Sequence, residues 1–331
     1  MKKLWMMLVL LILAMSPTVQ IAAQTAVQSY PSKPIKLIVP FPPGGGTDIF
    51  ARAIAQKLQD NLKWTVVVEN KAGAGGNLGV EAAAKSAPDG YTVVLGQTSN
   101  LAVNPTLYPK LPYDPLKDLS PVVLLASAPL VLVTRTESNL KTYADVVLAA
   151  KAKQGQLSVG SPGNGTVAHL SIELLQKQGG FKVQHIPYRG SAQALTDLMG
   201  GSIELYMSSV PTALGHIKSG KLRAIAVTGE RTSLVLPSVP TVSEAGKNLG
   251  MKGFETSTWF GFAVPVGTPP EAIRVLNTEI NKLLKLADVR AKLQSEGGDV
   301  LGGSPEQFAS LLRTDLVRWG RVVRESGAKI D

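Results

Sequence analysis

The chain has 331 residues, 44% of them hydrophobic, with no cysteine and a formal net charge of +10 at pH 7. This length allows two domains with buried cores, and the absence of cysteine excludes disulfides, thiolate metal ligands and cysteine nucleophiles. The basic residues occur singly or in pairs without interleaved aromatics, so we expect no nucleic-acid partner, although the positive field favours anionic solutes.

The N-terminus predicts export. Lys2 and Lys3 precede an apolar run from Leu4 to Met15, and small residues follow at Ala22 and Ala23. This pattern is typical of a secretory signal peptide over residues 1–23, with cleavage after Ala23. The apolar run is shorter than the roughly 20 residues that a membrane-spanning helix needs. We therefore expect a periplasmic protein that is soluble after cleavage.

Short β-branched runs then alternate with amphipathic stretches. In chain order these are "IKLIVPF", a helix over Thr47–Leu58, "WTVVVEN", a helix over Leu78–Ser86 and "YTVVLG". Such alternation predicts βα units with a mostly parallel sheet. The proline-rich segment from Asn104 to Pro121 is predicted to be a long surface loop.

A continuous apolar strand from Pro121 to Arg135 precedes a second series of the same kind. This series comprises a helix over Tyr143–Lys153, "QLSVGS", a helix over Val167–Gln178, "FKVQHIPY", a helix over Ala192–Met199, "SIELYMS" and "LRAIAVT". The strand "TSTWFGFAVP" and three helical segments complete the chain. We predict an α/β protein with two lobes, residues 31–130 plus 257–331 and residues 131–256, with hinge segments near 125–135 and 250–262.

Two glycine-rich turns point to the site. "PGGGT" at Pro43–Thr47 and "PGNGT" at Pro162–Thr166 each lie between a predicted strand and a predicted helix, one in each lobe. Ligands of open α/β sheets bind at such turns, and helix N-termini present free N–H groups to anions. The two turns are therefore predicted to share one anion across a cleft. For Asp48, capping of the first helix is favoured over contact with the solute.

Other chemistries fit less well. "GNGTVA" at Gly163–Ala168 matches a dinucleotide turn, but the next strand lacks the ribose-binding acid. No G-x-S-x-G elbow occurs, and His169, His185 and His216 lie on separate predicted elements without metal-ligand spacing. We therefore expect no cofactor, no metal and no catalytic residues. An exported enzyme acting on a small carboxylate remains the alternative, and a secreted scaffold is a weaker one.

Several ordered segments carry a family resemblance. They include "YPSKPIKLIVPFPPGGGTD", "VVVENKAGAGGNLG", "NPTLYPKLPYDPLKDLSPV", "HIPYRGSAQALTDLMGG" and "LPSVPTVSEAG". The chain resembles the Bug family, the periplasmic solute receptors of tripartite tricarboxylate transporters. The resemblance implies a Venus-flytrap fold of type II, with each lobe a mixed, mostly parallel sheet flanked by helices. Ala72, where the family usually has proline, is a small departure.

The resemblance also implies a receptor without catalysis. Its partners would be a small carboxylate and the membrane components of the transporter, and we expect a monomer. The implied ligand-binding residues are Pro43, Gly44, Gly45, Gly46, Thr47, Asp48, Gln97, Thr98, Ser99, Ser161, Gly163, Asn164, Gly165, Thr166 and Ser208, with Ser209 beside them. Arg189 could pair with a second carboxylate, but a surface position is the favoured interpretation.

Overall fold

The structure is a computed structural model that describes residues 30–330. The predicted signal peptide, residues 1–23, lies outside the described residues. The strands are β1 (Ile35–Val39), β2 (Val66–Asn70), β3 (Thr92–Gln97), β4 (Leu119–Arg135), β5 (Ser158–Ser161), β6 (Gln184–Pro187), β7 (Leu205–Ser209), β8 (Leu222–Val227), β9 (Ser257–Pro265) and β10 (Asp299–Val300).

Helices cover the sheet. They are α1 (Gly46–Leu62), α2 (Asn77–Ala84), α3 (Asn104–Leu107), α4 (Tyr143–Ala152), α5 (Val167–Gly179), α6 (Ser191–Gly200), α7 (Val210–Lys218), α8 (Val242–Ala245), α9 (Pro270–Lys285), α10 (Ala287–Ser295) and α11 (Pro305–Ser326). Short 3₁₀ turns occur at Ala74–Gly76 and Lys247–Leu249, and a π-helical turn spans Ser99–Val103. The predicted alternation of strands and helices is confirmed.

The strands of residues 30–330 form a 10-stranded mixed sheet in the order β2-β1-β3-β9-β4-β7-β5-β6, with β8 and β10 also pairing with β4. The outer strands are parallel: β1 pairs with β2 and β3, and β5 pairs with β6 and β7. Strands β4 and β9 run antiparallel to each other in the middle of the sheet. The predicted α/β fold with two lobes is confirmed, the first lobe being built on β1–β3 and the second on β5–β8.

Strand β4 belongs to both lobes. Its part up to Pro129 pairs with β9, and its part from Leu130 pairs with β7 and β8. Most of its 17 residues are buried. A strand covered by helices on both faces has no reason to alternate between apolar and polar residues. This explains the continuous apolar run that predicted it.

The loop prediction for Asn104–Pro121 is wrong in part. Asn104 begins α3, β4 begins at Leu119, and Leu107 and Tyr113 are buried. The Tyr113 hydroxyl donates to the Asn100 carbonyl oxygen at 2.5 Å. The prolines break the periodicity that predicts a helix or a strand, but they do not prevent a segment from packing into the interior through individual anchors.

Thr228 joins the strands that cross between the lobes. Its buried hydroxyl accepts the Leu130 N–H at 2.9 Å and donates to the Thr256 carbonyl oxygen at 2.6 Å. Its backbone N–H donates to the Leu130 carbonyl oxygen, and its carbonyl oxygen accepts the Thr256 N–H, both at 2.9 Å. Thr228 therefore holds β4 against the segment that enters β9.

We expect Thr228→Val to lower the free energy of unfolding by about 1–3 kcal/mol, because valine keeps the shape but leaves the buried Leu130 N–H without this acceptor. Urea denaturation measures the change. Thr232→Val, at an exposed position four residues further on, is the matched control and should stay within about 0.5 kcal/mol of the wild type. Equal stabilities of the two variants would contradict the assigned role of the hydroxyl.

Candidate ligand-binding site

Four helix N-termini meet at one cavity between the lobes. The inner cavity has a volume of about 60 Å³. It is lined by the starts of α1, α5, α6 and α7, each of which follows the carboxyl end of a strand. The lining residues are Phe41, Pro42, Gly45, Gly46, Thr47, Gln97, Ser99, Leu130, Pro162, Thr166, Val167, Ala168, Gly190, Ser191, Ser209, Thr212, Thr258 and Phe260.

Most of these helix starts have no side-chain cap. The residues preceding α1, α6 and α7 (Gly45, Gly190 and Ser209) make no capping hydrogen bond through a side chain. N–H groups in the first turn of a helix have no intrahelical acceptor, and the helix dipole adds partial positive charge there. The inner cavity therefore presents donors that suit an anion.

The charge of the inner cavity comes from dipoles rather than from side chains. Its lining, all within the described residues, contains no lysine, arginine, histidine or carboxylate. It contains instead the hydroxyls of serines and threonines and the Gln97 amide, which donates to the Thr47 hydroxyl at 3.3 Å. A buried carboxylate requires several donors to replace its lost hydration. Uncapped N–H groups and hydroxyls on four elements can supply them.

The first glycine-rich turn contributes directly to the inner cavity. Gly45, Gly46 and Thr47 line it, whereas Pro43 and Gly44 do not. Gly44 has φ +80°, a conformation that favours glycine. Its N–H donates to the Asp48 carboxylate at 3.0 Å.

Asp48 is turned away from the inner cavity. Its buried carboxylate also accepts from Arg52 Nε at 3.0 Å and from Asn70 Nδ2 at 2.9 Å. Burial alone would raise the pKa of this carboxyl, but the hydrogen bonds from Arg52, Gly44 and Asn70 outweigh it and hold the pKa below its usual value of 3.8. Asp48 thus fixes the first turn.

We expect Asp48→Asn to lower the free energy of unfolding by about 1–3 kcal/mol at pH 7. Because the folded-state pKa is lowered, the stabilisation is present above the unfolded-state pKa and is lost as the pH falls through the folded-state pKa. Urea unfolding at pH 7 and at successively lower pH should therefore show a difference from wild type that shrinks as the pH falls. Asp60→Asn, at an exposed position of the same helix, is the control. A difference that stays constant as the pH falls would contradict the charge-based explanation.

The second glycine-rich turn contributes less directly. Thr166 lines the inner cavity, and its hydroxyl caps α5 by accepting the His169 N–H at 3.3 Å. Gly165 has φ +78° and faces the first lobe: a Cβ there would lie 2.6 Å from Asn104 Oδ1. Gly163 and Asn164 also lie outside the inner cavity lining. This turn therefore mainly forms a contact between the lobes.

Ser161 and two histidines form a cluster behind that turn, in which Ser161 and His169 are buried and His185 is half-buried. The rings of His169 and His185 stack at 4.5 Å, and Ser161 Oγ lies 2.7 Å from His185 Nε2. A serine beside a histidine is also how a hydrolytic nucleophile is arranged, but Ser161 is fully buried and does not line the inner cavity. Burial, with a smaller effect of His169, lowers the pKa of His185 to about 3. The positions of Ser161, His169 and His185 in the sequence did not predict this contact.

The remaining predicted residues also divide into those that line the inner cavity and those that lie behind it. Gln97 and Ser99 line the inner cavity, and Ser99 Oγ accepts the Val167 N–H of the other lobe at 3.1 Å. Thr98 lies behind them, where its hydroxyl accepts the Trp259 N–H at 3.0 Å. The Ser208 hydroxyl donates to the Ser209 carbonyl oxygen at 3.1 Å, and Ser209 rather than Ser208 lines the inner cavity.

The start of α6 and most of the start of α7 were absent from the predicted site. Gly190, Ser191 and Thr212 line the inner cavity and were not predicted. Both helices follow strands that pair within the second half of the sheet, β6 and β7. The rule that ligands bind at the carboxyl ends of strands applies to these turns too. The segments "YRGSAQ" and "MSSVPT" could therefore have been predicted to contribute to the site.

Comparison with known proteins places the chain in a family. Residues 50–328 match the model described as the tripartite tricarboxylate transporter family receptor, and the chain belongs to this family. Within residues 30–330, no helix is long and apolar enough to cross a membrane. The same part of the chain contains no group of three or more histidine, cysteine, aspartate or glutamate residues that could hold a metal ion.

Individual relatives agree with that assignment. Protein BugT of Bordetella pertussis is 42% identical over 314 residues, which cover 95% of each chain. The structure of the periplasmic binding protein BugD has a TM-score of 0.85 at 30% identity, covering 91% of this chain and 99% of that one. R. palustris Rpa4515 with adipate has a TM-score of 0.87 at 32% identity, covering 91% and 100%. MatC from Rhodopseudomonas palustris with bound malate has a TM-score of 0.82 at 31% identity, covering 89% and 100%.

Proposed function

We propose that this chain captures a small carboxylate between its two lobes and presents it to the membrane components of a tripartite tricarboxylate transporter. The observation that carries the proposal is the convergence of four helix N-termini, three of them without a side-chain cap, on a cavity whose lining has no charged side chain. The structural relatives with adipate and with malate support a carboxylate as the solute.

The proposed carboxylate contacts are a subset of the predicted residues together with the unanticipated ones. We assign direct contact with the carboxylate to residues that line the inner cavity. They are Gly45, Gly46, Thr47, Gln97, Ser99, Thr166, Ser191, Ser209 and Thr212. The other predicted residues support this surface from behind or join the lobes. They are Pro43, Gly44, Asp48, Thr98, Ser161, Gly163, Asn164, Gly165 and Ser208. Backbone N–H groups supply the main attraction to the anion.

A thermal-shift screen of the mature protein against organic acids tests the proposal. A ligand at 100 times its Kd stabilises the folded state by about 2.7 kcal/mol, which is readily detected as a rise in melting temperature. We infer that the protein releases its solute unchanged, so mass spectrometry should recover every hit intact. A converted acid would favour the exported enzyme instead, and no stabilising acid in a broad screen would refute the receptor proposal.

We further propose that the lobes, residues 31–130 plus 257–331 and residues 131–256, close around the acid by hinge motion. The change of β4 partners between Pro129 and Leu130 and the start of β9 at Ser257 support these boundaries. Solution scattering should show a smaller radius of gyration with saturating acid, and a scattering mass equal to one chain would support the monomer.

N-terminal sequencing of exported protein tests cleavage after Ala23.

A further inference from the structure

A second, larger cavity adjoins the inner one. The outer cavity has a volume of about 430 Å³, and exposed residues such as Ala72, Ala74 and Arg189 contribute to its wall. Its lining residues are Phe41, Pro42, Ala72, Gly73, Ala74, Gly75, Gly76, Tyr108, Pro162, Gly163, Asn164, Pro187, Tyr188, Arg189 and Gly190. Both lobes contribute to it.

The two cavities share a wall. Phe41 and Pro42 of the first lobe and Pro162 and Gly190 of the second line both cavities. Pro42 and Gly190 touch across the cleft, since a Cβ on Gly190 would lie 2.7 Å from Pro42 Cγ. These four residues therefore form a partition, and a molecule that extends beyond the inner cavity on this side enters the outer one.

The two cavities differ in the length of acid that they can hold. The inner cavity has a volume of about 60 Å³ and the outer cavity about 430 Å³. The inner cavity therefore has room for the carboxylate end of an acid, and the outer cavity offers the larger space beyond it. A longer acid can keep its carboxylate on the helix N-termini only if its chain passes the partition.

The wall of the outer cavity suits hydrocarbon. Phe41, Tyr108 and Tyr188 supply aromatic surface, and three prolines add apolar surface. The Tyr188 hydroxyl is satisfied by Asp197 at 2.8 Å. Among its described lining residues there is no carboxylate, and Arg189 carries the single charge, at the exposed edge. Ligand sites of this type bind the apolar part of a molecule and orient it by few polar groups.

We propose that the outer cavity is a tail compartment that makes the receptor select carboxylates with an extended hydrocarbon chain over acids of two to four carbons. This rests on the proposed function, because it assumes that a carboxylate occupies the inner cavity. The selectivity follows from apolar surface that only the longer chain buries.

Isothermal titration calorimetry of the mature protein with two matched pairs of acids tests the selection. In both pairs, propanoate against hexanoate and butanoate against heptanoate, the longer acid should bind at least tenfold more tightly. Equal affinity within each pair would overturn the tail compartment and leave the receptor proposal intact. Failure of all four acids to bind, together with a negative acid screen, would instead refute the receptor proposal.

Two substitutions at Ala72 locate the preference. Ala72→Glu places a charge in the outer cavity and Ala72→Trp fills it, and each should reduce the long-acid advantage at least tenfold while the short acids bind as in the wild type. Ala152→Glu, at an exposed position on α4, is the charge-matched control and should change neither affinity. Melting temperatures verify folding. Retention of the full chain-length preference in both Ala72 variants would overturn the assignment to this cavity.

Discussion

Replacing Gly165 by valine should reduce the affinity for the solute at least 100-fold while the protein remains folded. A side chain at this position would lie 2.6 Å from Asn104 Oδ1 and 2.9 Å from Tyr108 Cε2, both in the first lobe. Valine cannot be accommodated without separating the second glycine-rich turn from that lobe. Because the proposed site takes its contacts from both lobes, a cleft that cannot close loses most of them.

Backbone strain is the competing explanation, and Gly180 provides the control. Gly165 has φ +78° and Gly180 has φ +61°, so valine is strained at either position, by roughly 1–2 kcal/mol. Gly180 follows the end of α5, and a Cβ there would have no heavy atom within 4 Å. Gly180→Val should therefore lower the melting temperature to a similar extent but bind normally. Equal solute affinities of the two variants by calorimetry would contradict the closure contact.

The same residue shows how far the sequence could predict the site. The strand–turn–helix pattern located both glycine-rich turns correctly, because turn chemistry and helix periodicity are local properties. The structural reason that a glycine is required at a given position is only partly a local property. Gly44 needs its positive φ, Gly46 approaches Ser209, and Gly165 approaches Asn104. Two of these three reasons depend on residues of the opposite lobe, which the sequence pattern does not place.

Sheet order explains most of what was missed. The strands of both lobes were predictable from apolar runs, but the pairing of β7 between β4 and β5 is a long-range arrangement. That pairing brings Ser209 and Thr212 to the same cavity as Ser191. The stacked histidines have the same origin, because His169 lies on α5 and His185 on β6. Local periodicity contains no information on such contacts.

Gly46→Ala should weaken solute binding at least tenfold without destabilising the free protein. Gly46 is the first residue of α1, and its φ is not in the left-handed region. Alanine is favoured over glycine in helices by up to about 1 kcal/mol, so the melting temperature without solute should be unchanged or higher. A Cβ at Gly46 would, however, lie 2.8 Å from Ser209 Oγ in the second lobe. The substitution therefore opposes closure rather than folding.

A double-mutant cycle with Ser209→Ala separates this steric conflict from other effects. Ser209→Ala alone should weaken binding, because the hydroxyl lines the inner cavity and contacts Thr212 Oγ1 at 2.8 Å. Ser209→Ala also removes the oxygen that a methyl group at position 46 would meet. The Cβ of residue 209 would then lie 3.5 Å from that methyl group, an ordinary contact distance. The double variant should consequently bind more tightly than Gly46→Ala, with a coupling free energy of about 0.5–3 kcal/mol. Additive losses in the calorimetric cycle would mean that Gly46 and Ser209 do not approach each other in the solute-bound state, and that the lobes close in a different register.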